Sequence, residues 1–127
     1  MAVDKQTKRI LCVAHDEGRR HDRRLLKEAK VRPHPDTRVV VDSGFQGLQK
    51  EHAKTDMPKK RTKTIPLTKA DKARNRAIAS ERVLCENVIA VLKRFKIIAD
   101  RYRNRRRRFG LRFFLIAAIY NAELPLA

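Results

Sequence analysis

Two short apolar runs in the first third of the chain have the length of buried β-strands. The first covers residues 8–14, and the second covers residues 37–41 and ends in three valines. Both runs are continuous rather than alternating, which is typical of strands covered on both faces of a sheet. Between them, Asp22 can cap a helix whose apolar face includes Leu25 and Leu26. This order predicts two parallel, neighbouring strands joined by a right-handed helical crossover.

The second half of the chain is predicted to be mainly helical. Thr68 can cap a long helix, with Asp71 three residues later as its partner in a capping box, and the apolar stripe continues to about Ile98. Residues 111–123 form an almost wholly apolar last helix, which we expect to pack into a core. Residues 54–66, before the long helix, are polar and rich in lysine and are predicted to form a loop. The predicted fold class is α/β.

The net charge of the chain indicates what kind of molecule it binds. The 127 residues contain 32 Lys and Arg against 14 Asp and Glu, a formal net charge of +18. Residues 58–127 hold 19 of the basic residues and only 5 of the acidic ones, so the excess is concentrated there. Such an excess is typical of proteins that bind a polyanion, most often nucleic acid.

Membrane and disulfide-rich classes fit the sequence poorly. The longest apolar run, residues 113–120, is far shorter than the roughly 20 residues that a spanning helix needs. Cys12 and Cys85 are isolated and lie in apolar runs, so we expect buried thiols rather than a disulfide or a zinc site. A cytoplasmic protein associated with the nucleoid is expected.

Two carboxylates have settings that favour metal binding. Asp42 ends the second apolar run and precedes Ser43 and Gly44, whereas Glu86 lies within the long helical pattern. A carboxylate at a strand end and one on a helix can converge on a divalent cation, and in a basic protein that cation would act on nucleic-acid phosphates. A third carboxylate would complete such a site, and the sequence offers no clear candidate.

Two cations flank the helical carboxylate. Arg82, Glu86 and Lys93 have the spacing i, i+4, i+11, which places all three on one helix face. This arrangement suits a metal ligand beside a phosphate backbone. An ion pair on a solvated face, worth a few tenths of a kcal/mol, explains the same spacing.

The chain resembles DDE-type insertion-sequence transposases of the IS-five group, which are related to Harbinger-like endonucleases. The resemblance covers nearly the whole chain, from about residue 10 to residue 124. It is carried by Val-Asp-Ser-Gly-Phe-Gln-Gly at 41–47 together with motifs at 58–60, 67–68, 75–76, 82–87, 93–97, 102–106 and Asn121. These motifs are specific in combination.

The resemblance implies a ribonuclease-H-like fold in which three acidic residues bind two divalent ions, Mg²⁺ or Mn²⁺. Asp42 corresponds to the second acid and Glu86 to the third, and Arg82 and Lys93 match an Arg-x3-Glu-x6-Lys signature. The Tyr that often begins this signature is replaced by Ala79. In the family, the two ions bracket the scissile phosphate of DNA during strand cleavage and strand transfer.

One departure from the family concerns the first catalytic Asp, which the resemblance places upstream of Val3. Residues 1–127 are therefore expected to be part of a DDE catalytic domain without its first strands, produced by truncation, frameshift or decay. Asp4 is expected in a turn, and His21 and Asp22 are read as structural. We expect the chain to be inactive alone, with an upstream transposase fragment or a second copy as a possible partner for duplex DNA at transposon ends.

An alternative function is a non-catalytic, basic nucleic-acid-binding protein. Residues 101–112 form an arginine-rich run with interleaved aromatic residues, which suits contact with phosphates and bases. A solvated connector would have the same composition. The residues expected to contact DNA are Arg82, Lys93, Arg103, Arg105, Arg106, Arg107 and Arg108. The alternative function depends on the arginine-rich run alone.

Overall fold

The structure is a computed structural model that describes residues 1–15, 22–100 and 108–125. Within these ranges the strands are β1 (Ala2–Val3), β2 (Ile10–Cys12), β3 (Val39–Val40) and β4 (Thr55–Asp56). The helices are α1 (Asp22–Glu28), α2 (Lys69–Leu92), α3 (Lys96–Ala99) and α4 (Phe109–Glu123). Two turns of 3₁₀ helix cover Ser43–Phe45 and Leu48–Lys50. The predicted α/β class is confirmed.

The chain divides into two compact units. Unit 1 consists of Met1–His15 with Leu84–Ala127, and unit 2 consists of Asp16–Val83. Helix α2 begins in unit 2 and ends in unit 1, so it contributes side chains to both.

A β-hairpin opens unit 1. Strands β1 and β2 pair antiparallel, and Asp4 lies in the turn between them, as predicted. Its carboxylate accepts hydrogen bonds from the Thr7 hydroxyl and from the backbone N–H groups of Gln6 and Thr7. The hydrogen bond from the Thr7 hydroxyl has the largest effect, and together these bonds hold the pKa of the Asp4 carboxyl below its ordinary value. The side chain thus closes the turn that brings β2 back along β1.

The amide of Asn121 fastens α4 to β2. The Ile10 N–H donates to Asn121 Oδ1 at 2.8 Å, and Asn121 Nδ2 donates to the Ile10 carbonyl at 2.9 Å. One side chain therefore supplies both bonds that a neighbouring strand would make at this residue. The Tyr120 hydroxyl adds a bond to the Lys8 carbonyl at 3.3 Å. The core around this contact contains the buried residues Ile10, Val13, Val88, Leu92, Ile116, Ala117 and Tyr120.

Helix α4 is less buried than its composition predicts. It covers the predicted residues, but Leu111, Phe114 and Leu115 remain 72%, 55% and 60% exposed. The prediction that this helix packs into a core is confirmed, since Ile116, Ala117 and Tyr120 are buried there. Only one face of α4 is packed, because an apolar composition does not show how many faces of a helix have a neighbour. No helix in the described ranges is both long and apolar enough to cross a membrane.

The predicted strand pairing is wrong. Among the described residues, β2 pairs with β1 and β3 pairs with β4, so the strands in 8–14 and 37–41 do not pair with each other. Strand β4 lies within the segment predicted as a loop. It pairs parallel to β3 because the two 3₁₀ turns carry the chain back, with Gly47 in the left-handed conformation at φ +86° between them.

Hydrogen bonds from side chains complete this parallel pair in unit 2. The ring of His52 bonds the Thr37 carbonyl at 2.6 Å, and the Thr55 hydroxyl donates to the His52 carbonyl at 2.7 Å. His52 and Thr55 are both buried. Polar side chains thus fix β4, and for this reason the hydrophobic pattern does not reveal the strand.

The long helix begins as predicted and ends early. The Thr68 hydroxyl accepts from the Asp71 N–H at 3.1 Å, and the Thr68 N–H donates to Asp71 Oδ2 at 3.1 Å, which confirms the capping box. The helix stops at Leu92, and α3 follows after a turn. Ile97 and Ile98 in α3 still pack against the core of unit 1, so the apolar stripe continues although the helix does not.

Replacing Asn121 with Ala should lower the free energy of unfolding by about 1–3 kcal/mol, because the part-buried N–H and C=O of Ile10 lose both partners. Urea denaturation followed by far-UV circular dichroism measures the change. The exposed neighbour Ala122, replaced with Ser, serves as the control and should change little. Equal stability of the Asn121 variant and the control would contradict this role.

Candidate functional site

Asp42 stands where β3 ends and the first 3₁₀ turn begins. It is the N-cap of that turn, and its Oδ1 accepts a hydrogen bond from the Gly44 N–H at 2.7 Å. In the Asp-Ser-Gly sequence, the hydrogen bond from the glycine N–H therefore fixes the aspartate carboxylate at the strand end. Oδ2 does not take part in that bond and remains available for another partner.

Arg82 on α2 is the cation that reaches this second oxygen. Its Nη2 lies 3.5 Å from Asp42 Oδ2, and the two side chains are 32% and 39% exposed. At this exposure the pair contributes about 0–1 kcal/mol to folding. The contact is therefore more significant for the site than for stability, because it places a guanidinium beside the predicted metal ligand.

The guanidinium of Arg38 positions this part of α2 within unit 2. It donates from Nε to Asp56 in β4 at 2.6 Å and from both terminal nitrogens to Glu81 at 2.9 and 3.1 Å. The hydrogen bonds to Glu81 and then to Asp56 hold the pKa of Arg38 above its ordinary value. Arg74 makes a further, longer contact to Asp56 at 3.4 Å. Since Glu81 directly precedes Arg82, this bridge helps to place Arg82 near Asp42.

Asp22, which the sequence pattern indicates as a helix cap, lies near Asp42 in the structure. A Cβ built on Gly44 would lie 2.7 Å from Asp22 Oδ2 and 3.0 Å from Asp42 Oδ1. Two carboxylates thus converge on the one residue of the turn that has no side chain. The available signal was the Gly that follows Asp-Ser, since a glycine often marks a close approach to the backbone.

The other predicted site residues lie elsewhere in the chain. Glu86 is an exposed residue of α2, and Lys93 is an exposed residue just beyond its end. Both belong to unit 1, whereas Asp42 and Arg82 belong to unit 2, so a site shared by Asp42 and Glu86 stays a prediction.

The predicted DNA-contacting arginines fall mostly in a part of the chain that the structure does not describe. Arg103, Arg105, Arg106 and Arg107 lie outside the described residues. Arg108 is described, and it is an exposed residue immediately before α4.

The carboxylates near Gly44 suit part of a metal site. Magnesium prefers oxygen ligands, and it is commonly held by one or two carboxylates together with water and substrate phosphates. Asp42 Oδ2 and the Asp22 carboxylate are ligands of this type. The described residues contain no group of three or more His, Cys, Asp or Glu that could hold a metal ion. Asp42 and Asp22 could therefore provide only part of a ligand set, which a further carboxylate or a phosphate would have to extend.

Replacing Gly44 with Ala should destabilise unit 2 by about 1–3 kcal/mol, because the added methyl group meets both carboxylates at 3.0 Å or less. The cost should be smaller in a chain that also carries Asp22→Ala, since one of the two obstacles is then gone. Thermal or urea unfolding of the two single variants and the double variant gives the coupling energy. Additive effects of the two substitutions would refute the predicted contact.

Comparison with known proteins agrees with the resemblance seen in the sequence. A family model described as "Transposase DDE domain" matches residues 1–122. A curated relative, "Probable transposase for insertion sequence element IS702" from Microchaete diplosiphon, is 42% identical over 126 residues, which is 99% of this chain. The chain spans 46% of the length of that relative. No solved structure matches the chain. The match over residues 1–122 covers nearly the whole chain, which therefore belongs to the DDE transposase family.

Proposed function

We propose that this chain provides part of the catalytic domain of an insertion-sequence transposase, which cleaves and joins DNA strands with the help of divalent metal ions. The observation that carries the proposal is the turn at Asp42, where a carboxylate is fixed at a strand end with one oxygen directed at Arg82. The family match and the excess of basic residues support the same function. The fold of the complete catalytic domain would be ribonuclease-H-like.

In this proposal Asp42 and Glu86 hold Mg²⁺ or Mn²⁺. When bound, the metal supplies an activated water or DNA 3′-hydroxyl and stabilises the leaving oxygen. Asp42 would present Oδ2, because its Oδ1 is already bonded to the Gly44 N–H. Asp22 would add negative charge beside it and so favour a cation at this place.

Arg82 would have two roles in the same site. In the structure, its guanidinium lies beside the Asp42 carboxylate and partly neutralises it. When a cation takes that position, Arg82 would be released to bind a DNA phosphate, for which the planar guanidinium is well suited. Lys93 would bind a second phosphate as a compact charge.

The alternative function, a non-catalytic nucleic-acid-binding protein, has less support. It does not require a carboxylate held at a strand end, and it does not explain the family match over residues 1–122. We further propose that the protein acts on duplex DNA at transposon ends, in the bacterial cytoplasm.

A transposase segment that this chain does not contain is the proposed partner, and β3 is where it would bind. The N–H groups of Val39 and Val41 donate to residues 54 and 56 at 2.9 and 3.0 Å, so the N–H of Val40 points to the other edge of the strand. Val40 is half-buried, and no partner for that N–H lies in the described residues. Parallel strands normally lie inside larger sheets, so a third strand beside Val40 would complete this one.

The chain alone should fail to nick or join transposon-end DNA in Mg²⁺ or Mn²⁺, because two of the three metal-holding acids of the family are identified in it. The test is a nicking assay that includes Asp42→Ala as its control. Metal-dependent cleavage that disappears in this control would contradict the prediction. Asp22→Ala would then show whether Asp22 is the third acid.

Hydrogen exchange at β3 tests the proposed strand partner. In the chain alone, the Val40 amide should exchange faster than those of Val39 and Val41, which are bonded to the β4 strand region. Adding the part of the IS702 transposase that lies outside the match should slow exchange at Val40. Binding of that polypeptide without protection of Val40 would show that it docks elsewhere.

A further inference from the structure

The segment around the start of α2 carries a second concentration of positive charge. Residues 59–76 contain eight Lys and Arg but a single acidic residue, Asp71. Two of the eight cations have acidic partners, since Lys59 contacts Asp71 at 2.9 Å and Arg74 contacts Asp56 at 3.4 Å. The other six are exposed and have no acidic partner in the described part of the chain; they are Lys60, Arg61, Lys63, Lys69, Lys72 and Arg76.

Three of these six cations lie on one face of α2. At 100° per residue, Lys72 and Arg76 lie about 60° and 20° from Lys69 around the helix, on the same side. Ile78, which lies about 180° from Lys69 on the opposite side of the helix, is buried. Asn75 lies between the two sides, about 60° from Lys72, and is bonded to the preceding loop. The cationic side of the helix is therefore the side that faces solvent.

The loop that precedes α2 is fixed to this helix. The Lys59 N–H donates to Asn75 Oδ1 at 2.8 Å, and Asn75 Nδ2 donates to the Lys59 carbonyl at 2.9 Å. Lys59 Nζ also donates to Asp71, and this bond, with those from Thr68, holds the pKa of the Asp71 carboxyl below its ordinary value. The three loop cations that follow, at 60, 61 and 63, are thus held near the first turns of the helix. We call the six unpaired cations the basic face.

We propose that the basic face binds the phosphate backbone of duplex DNA. From Lys69 to Arg76 the helix rises by about 10 Å, and successive phosphates of one strand rise by about 3.4 Å along the duplex. This length covers about three phosphate steps of one strand, so phosphates are available to all three cations. Ala73 and Ala77 lie beside them and are exposed, so small side chains leave room for a close approach.

The basic face consists of other residues than the arginine run at 101–112. It rests on the proposed function only in taking DNA as the substrate, because it involves neither metal ions nor strand cleavage. Phosphate contacts of this kind position DNA without reading its sequence. The face would therefore hold duplex DNA of any sequence on the surface of unit 2.

Fluorescence anisotropy with a labelled duplex, at several salt concentrations and without metal, tests the proposal. The face variant carries Lys69→Gln, Lys72→Gln and Arg76→Gln, since glutamine keeps a high helix propensity. Each lost phosphate contact lowers the magnitude of the slope of log K against log salt by about 0.9. The slope of the face variant should therefore be smaller in magnitude by about 2 to 3. A loop variant with Lys60→Gln, Arg61→Gln and Lys63→Gln should lose a similar amount and cannot affect the helix interior.

The matched control removes the same charge from cations that already have acidic partners. It carries Arg24→Gln, Lys27→Gln and Lys54→Gln, whose partners are Glu28, Glu51 and Asp36. Its slope should change by less than about 1.

Equal losses in the control and in the face variant would overturn the proposal, because net charge alone would then explain binding. Unchanged slopes in the face and loop variants would also overturn it. If the face variant loses helix content, the slope of the loop variant tests the proposal in its place. A chain that binds DNA as expected but never cleaves it with any partner fragment would count against the proposed catalytic function alone.

Discussion

The arrangement of unit 2 depends on the guanidinium of Arg38. It binds Asp56 in β4 and Glu81 in α2, so one side chain links the short parallel sheet to the long helix. A two-stranded sheet of two-residue strands has little stability of its own, and contact with a helix is what such a sheet requires. The same link places the next helical residue, Arg82, at the end of β3, where Asp42 lies. The geometry of the candidate site thus follows from an ion-pair bridge near it.

The cations of unit 2 differ in whether they have acidic partners. Arg38, Lys59 and Arg74 have acidic partners and connect elements of the fold. The basic face has none in the described part of the chain, so its charge remains available to a polyanion. An overall charge of +18 identifies a class of partner but does not show which cations would meet it. The structure separates structural cations from those that are free to bind phosphate.

Local sequence signals were reliable where the interacting atoms are close in the chain. The turn at Asp4 and the Thr68–Asp71 capping box follow from bonds over two or three residues, and both are confirmed. Long-range pairing was predicted wrongly, because hydrophobic runs show that strands are buried but not which strands are neighbours. Strand β4 was missed since buried polar residues, including Thr55, hold it in place.

The sequence by itself determined the family, the α/β class and the setting of Asp42 at a strand end, because motif spacing and turn chemistry depend on residues that are close in the chain. Only the tertiary structure decided that Asp22 approaches Gly44 and that Arg82 reaches Asp42. The first contact joins residues that are 22 positions apart in the sequence, and the second joins residues that are 40 positions apart. No periodic pattern encodes either contact. Packing likewise decided which side chains of α2 face solvent, because Ile78 on the opposite side of the helix is buried and Asn75 is bonded to the preceding loop.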